Sequence, residues 1–229
     1  MEQLIKDWAP NVWKYRTKFV AQCENTLQMF LIAGAISFLL GLIFGVIVTV
    51  KKEGGIRQNK FVYRLIDAII NVLRSVPFII LLIFLIPLTR ALVGTAIGVQ
   101  GAIVPLVFGT VPFFTRQVEA ALASVSPGKI EAARSMGSGT LGIIFRIYLH
   151  EAVPDLIRVT TITAISLIGL TTMAGAVGAG GLGDLAIRYG YQRRVTSMMV
   201  VTVILIIILV QVIQSVFSWL STKLDKRLR

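Results

Sequence analysis

The chain has 229 residues, 55% of them hydrophobic and 15% charged, with a formal net charge of +12. A soluble domain carries about a quarter charged residues, and here the cations stand mostly between apolar runs of about 20 residues, the length that crosses a bilayer core. This excludes a soluble nucleic-acid-binding domain and leaves an all-α membrane protein whose Lys and Arg set orientation and meet anionic lipid. Cys23 and His150 are the only residues of their types, which excludes an internal disulfide and the common Cys/His zinc sites.

In chain order, Trp8, Val12, Tyr15 and Phe19 recur at helical spacing among Lys14, Arg16 and Lys18. Residues 1–23 therefore read as a segment with an amphipathic helix in the membrane interface or as a loosely ordered tail, and not as a cleaved signal peptide. The first span covers about Thr26 to Val50 and holds a GxxxG pair, Gly41 and Gly45, that admits a second helix closely. A basic loop, Lys51 to Lys60, follows. The second span covers about Phe61 to Leu88, with Asp67, Asn71 and Arg74 on one face and Pro77 and Pro87 placed to bend or end it. The third covers about Ala96 to Phe114, with Pro105 and Pro112 on one face.

From Arg116 to Asp155 the chain is too polar to span and too long for a plain turn. It reads as two short helices broken at Gly137 to Gly139, the first capped by Ser126 and started by Pro127. The fourth span covers about Leu156 to Met173, and a glycine-rich loop, Gly175 to Gly183, leads to a further loop, Asp184 to Arg194. The fifth covers about Thr196 to Leu220, before a basic tail, 223–229. The loop after span one, the segment after span three and the tail hold most of the cations. They should be cytoplasmic, with the N-terminus outside. The membrane-spanning body is then 24–222, in the cell membrane.

The spacing Glu131-Ala132-Ala133, Gly137, Ile147, Leu149 resembles the coupling motif of permease subunits of binding-protein-dependent ABC importers. The pattern's usual proline after that leucine is His150 here, while Pro154 is retained. Arg74-Ser-Val-Pro77, Ile86-Pro-Leu-Thr-Arg90, Val93-Gly-Thr-Ala-Ile-Gly98, Ala174 to Asp184 and Ile187 to Gln192 are similar to the methionine-uptake branch of that family. The resemblance implies a type I ABC importer permease fold with five transmembrane helices and a cytoplasmic coupling helix at about 127–137. It implies a second copy of the chain, two cytoplasmic ABC ATPase subunits that bind ATP and Mg, an external methionine-binding protein, and no cofactor on this chain.

The residues fit that role. Ala132 and Ala133 leave a smooth surface that can enter a groove on an ATPase, Glu131 stands beside them, and Gly137 lets the chain turn away. No G-x4-G-K-[S/T] is present, and Gly178-x-Gly180-x-x-Gly183 lacks the strand–helix setting of a dinucleotide site. Those glycines read instead as a tight fold-back.

Asp67 and Arg74 are costly in lipid and stand about 10 Å apart, too far to pair. They serve as pathway or gate residues or as pins between helices. Thr163 and Ser166 are candidates to line a path along span four, and Met173 is either a flexible gate at its end or core packing. Asp184, Arg188 and Arg193 are candidates to meet the binding protein. An ion-gradient carrier, a permease for another amino acid and an intramembrane enzyme remain as alternatives. The carrier draws only on Asp67 and the prolines, and the enzyme lacks a base near any nucleophile in sequence.

Overall fold

The structure, a computed structural model, describes residues 13–224. Trp8 and Val12 of the expected interfacial helix, and most of the basic tail, lie outside the described residues. Helix α1 runs from Arg16 to Lys51 without a break near residue 23, so the chain before the first span joins that span directly. Nothing between Arg16 and Thr26 breaks a helix, and Gln22 and Thr26 both accept backbone N–H groups from the 181–182 segment.

Asn59 caps the next helix, α2 (Lys60–Ser75), by accepting from the N–H groups of Phe61 and Val62 at 3.1 Å each. Val76 and Pro77 are extended, and this ends α2, as the proline predicts. Two short helices follow, α3 (Phe78–Phe84) and α4 (Ile86–Val93), the latter closed by Gly94 at φ +82°.

Helix α5 (Gly98–Ala123) passes both Pro105 and Pro112 and does not stop at Phe114 as expected from sequence. It carries Arg116 and Glu119 because their charges are paired and because Val118, Ala121 and Leu122 continue its apolar face into a core. The polar segment then folds as α6 (Pro127–Ser135), a turn at Gly137, and α7 (Thr140–Ile143). Wider turns at Ile144–Tyr148 carry α7 on into Leu149–Glu151. This is the expected pair of short helices broken at Gly137.

Helix α8 (Val153–Ala174) carries on through Gly175–Ala179. Helix α9 (Gly181–Asp184) continues as wide turns over Leu185–Gln192, so the stretch read as a loop from Asp184 is helical. Helix α10 (Thr196–Leu224) is the last. By length and composition α1, α5, α8 and α10 can each cross a membrane, and the bent pair α2–α3 makes up to five spans.

The chain divides into two compact units, and these four long helices contribute a part to each. The first unit is 1–35, 77–108 and 164–213. Its cores gather Met29, Ala33, Leu106 and Leu167, and separately Phe19, Leu182, Leu185 and Met198. The second unit is 36–76, 109–163 and 214–229, with Phe114, Val118, Leu122, Ala133, Ile143 and Val159 in its core. In this second unit the GxxxG pair is used as expected. A Cβ on Gly45 would stand 2.5 Å from Val118 Cγ1, and one on Gly41 2.7 Å from Phe114 Cδ1, so α1 and α5 touch almost backbone to side chain.

Candidate functional site

The polar segment forms a rigid stub. Pro127 occupies the first turn of α6, where its missing N–H costs nothing. Ser126 holds the cap position, but its side chain makes no capping bond, contrary to expectation. At the other end Gly137 adopts φ +79°, its N–H donates to the Arg134 carbonyl at 2.9 Å, and the Ser138 N–H donates to the Ala133 carbonyl at 3.0 Å. This double closure satisfies the last carbonyls and needs a left-handed residue, which glycine supplies.

The two stub alanines part company. Ala133 is 2% exposed and packs into the core with Val125, Ile130 and Ile143, whereas Ala132 and Glu131 are exposed beside Met136. Of the smooth surface read from sequence, only Ala132 is free to enter a groove. A helix of nine residues has just one face to anchor and one to present, and residues in sequence lie about 100° apart. Lys129 pairs with Glu151, and Ser124 donates to Asp155 at 2.9 Å, tying the start of the stub and the residues before it to the chain at 151–155.

Asp67 and Arg74 do not meet. Asp67 pairs with Arg116 of α5, which also donates to Asn71 Oδ1 at 3.0 Å and pairs with Glu119 at 2.8 Å. Asn71 Nδ2 closes the set onto Asp67 at 3.0 Å. Arg74 is exposed and has no hydrogen bond or ion pair among the described residues. Arg116, expected from sequence to start the polar segment, stands inside α5 instead. The apolar period continuing through Val118, Ala121, Leu122 and Val125 is the signal that would have kept it on the helix.

In the first unit the glycine-rich stretch is a hairpin of helix ends. Val177 and Gly178 leave the helical region, and Gly180 and Gly181 take φ of +80° and +83°. Gly175 and Gly183 then bring the two arms into backbone contact. A Cβ on Gly183 would stand 2.2 Å from the Thr172 oxygen, and one on Gly175 2.6 Å from the Asp184 nitrogen. The Gln22 side chain and the Thr26 hydroxyl, the latter at 2.8 Å, accept the N–H groups of Gly181 and Leu182. The expected tight fold-back is there, built on α1.

Asp184, expected at a surface, is buried and pairs with Arg188 at 2.8 Å, leaving Arg188 and Arg193 exposed. Arg193 lies 4.5 Å over the Tyr189 ring. Lys18 donates to the Tyr189 hydroxyl at 2.6 Å and so holds that phenol below its usual pKa, while burial opposes the shift.

On α8, Thr163 is fully buried and its hydroxyl bonds back to the Val159 carbonyl at 2.8 Å, so it does not share the face of Met173. The exposed stripe of α8 is Ile162, half-buried Ser166, Gly169 and Met173, the last 48% exposed. Met173 is therefore no core residue within this chain.

Several helices long and apolar enough to cross a membrane, with a short polar helix between α5 and α8 anchored by Ala133 and exposing Glu131 and Ala132, define a multi-pass membrane protein. The chain belongs to the family described as binding-protein-dependent transport system inner membrane component, whose profile matches residues 37–229. It is 46% identical over 203 residues to the probable D-methionine transport system permease protein MetI of Vibrio cholerae, covering 89% of this chain and 90% of that one. It is 44% identical over 175 residues to the methionine import system permease protein MetP of Bacillus subtilis, covering 76% and 79%. A solved chain of the MetNI methionine ABC transporter in an inward-facing conformation superposes with a TM-score of 0.91 at 42% identity, over 93% of this chain and 99% of that one.

Proposed function

We propose that this chain is the transmembrane permease subunit of an ATP-driven methionine importer. It works as two copies, with two cytoplasmic ABC ATPase subunits that hold ATP and Mg and an external protein that delivers methionine. The observation that carries the reading is the stub. Pro127–Ser135 is locked on one side by Ala133 and on the other offers Glu131 and Ala132 to a groove. ATP closing the ATPase pair would draw the two stubs together and open the bundle outward, and hydrolysis would reset it. The N-terminus lies outside and the C-terminus in the cytoplasm, as the basic loop at Lys51 to Lys60 and the cations of the stub segment favour.

The path runs between the two copies along the exposed α8 stripe, where Met173 gates and Ser166 offers a hydroxyl. Thr163 packs behind it. Arg188 and Arg193 face the binding protein, with Asp184 orienting Arg188. The specificity for methionine rests on the likeness to the methionine permeases.

The test is reconstitution. The chain, co-purified with its ATPase subunits and supplied with the binding protein, should take up methionine into proteoliposomes only with ATP. Uptake by the chain alone under a proton or sodium gradient would replace the importer with a carrier. In the same vesicles Met173→Ala should raise ATP turnover without added methionine, since a methyl group cannot plug what a flexible thioether fills. Unchanged basal turnover would remove Met173 as the gate.

A further inference from the structure

We infer that Arg116 is the link by which movement of the stub reaches α2, so that it positions the broken span during transport without contacting substrate. This rests on the importer reading above. Three observations carry it.

First, the stub and the last turns of α5 are one solid piece. Val118, Leu122 and Val125 share a buried core with Ala133 and Ile143, and Ser124 and Lys129 are tied to Asp155 and Glu151. A displacement of α6 therefore carries the end of α5 with it.

Second, α2 has little else to follow. Of its residues only Ile70 is buried within this chain. Its attachments are polar: the half-buried Arg116 guanidinium reaches both Asp67 and Asn71 from α5, and at the start of α2 Lys60 makes a solvent-exposed pair with Glu53.

Third, the attachment is directional. Arg116 is 19% exposed and serves three acceptors, while Asn71 in turn donates to Asp67. A forked cation on several oxygens has a defined engaged geometry, unlike a greasy contact that slides. An element with discrete arrangements is what carries coupling between distant sites. α2 itself leads into the Val76–Pro77 break.

Glu119 supplies the internal control. It pairs with Arg116 three residues along the same helix, whereas Asp67 pairs with it from another helix. Both changes remove one carboxylate from the same guanidinium, but only the change at Asp67 weakens the link between the helices, leaving it to Asn71.

The experiment compares Arg116→Gln, Asp67→Asn and Glu119→Gln in the full complex, in proteoliposomes with the ATPase subunits and binding protein. It records subunit stoichiometry, ATP turnover and methionine uptake. Arg116→Gln and Asp67→Asn should assemble and hydrolyse ATP, with uptake per ATP lowered roughly tenfold or more, the usual size of a coupling between sites. Glu119→Gln should stay within about twofold of the wild-type ratio, as the loss of one pair within a helix implies.

A merely structural role would lower assembly, turnover and uptake together and leave their ratio intact; that result overturns the inference. So does an equal loss of ratio in Glu119→Gln and Asp67→Asn. Should Arg116→Gln fail to assemble, Arg116→Lys is the deciding variant: it keeps the charge and loses the fork, and a wild-type ratio there overturns the link. Wild-type uptake that needs no ATPase would sink the importer reading itself, a result distinct from a coupled wild type with unaffected variants.

Discussion

Ala132→Arg is expected to weaken association with the ATPase subunits roughly 100-fold while leaving the chain folded. Ala132 is exposed on α6, so the substitution buries nothing in this chain, and its cost to the fold should stay within about 0.5 kcal/mol. In a groove shaped for a methyl group the added side chain has no room, and its charge must be taken out of water. A loss of roughly 100-fold in affinity, about 2.7 kcal/mol, follows if the alanine sits at the centre of the contact. The measurement is a titration of the detergent-purified chain with the ATPase subunit, alongside thermal unfolding.

Its neighbour should fail differently. Ala133 is 2% exposed in a filled core, so Ala133→Leu overpacks that core by about 1–3 kcal/mol and lowers the melting temperature first. If both substitutions behaved alike, the division of the stub into an anchoring and a presenting face would be wrong.

Gly183→Ala is expected to have the largest effect on stability of any single methyl addition in the glycine hairpin. Its Cβ would fall 2.2 Å from the Thr172 oxygen and 2.7 Å from the Thr172 Cα, and backbone cannot rotate away as a side chain can. The two arms must separate. That also strains the bonds from Gly181 and Leu182 to Gln22 and Thr26, and it loosens the packing of Leu182 and Leu185.

The cost lies at or beyond the upper end of the usual overpacking range, about 3 kcal/mol. In a chain of this size that shifts the melting temperature by ~10 °C. Gly142→Ala is the comparison. It sits on α7 with nothing within 4 Å of its Cβ position, so a helix-forming residue there should be neutral or stabilising by up to about 1 kcal/mol. Equal melting temperatures for the two variants would show that the hairpin arms are not in backbone contact.

The stub and the hairpin were legible in the sequence for different reasons. Proline at the first turn and glycine after the last are local signals, since each acts on its own residue's φ and hydrogen bonds. Both ends of α6 stand where those residues place them. The glycine cluster likewise announced a fold-back, though not what it folds onto. Gln22 and Thr26, more than 150 residues earlier, looked only like polar residues near the start of a span. The same blindness hid the partner of Arg116, a carboxylate 49 residues away. It also misplaced Thr163 and Asp184, since a periodic polar stripe does not say which side of the helix has neighbours.

By itself the sequence determined that the chain crosses a membrane in about five passes, which side is basic, where a rigid stub interrupts the passes, and which transporter family it joins. Run length, charge between runs and turn residues are properties of short stretches and need no partner to be read. Only the tertiary structure decided that Ala133 anchors while Ala132 is offered, that Asp67 belongs to Arg116, and that Asp184 turns inward. Each of those depends on what another part of the chain brings within a few ångströms, and no local pattern carries that.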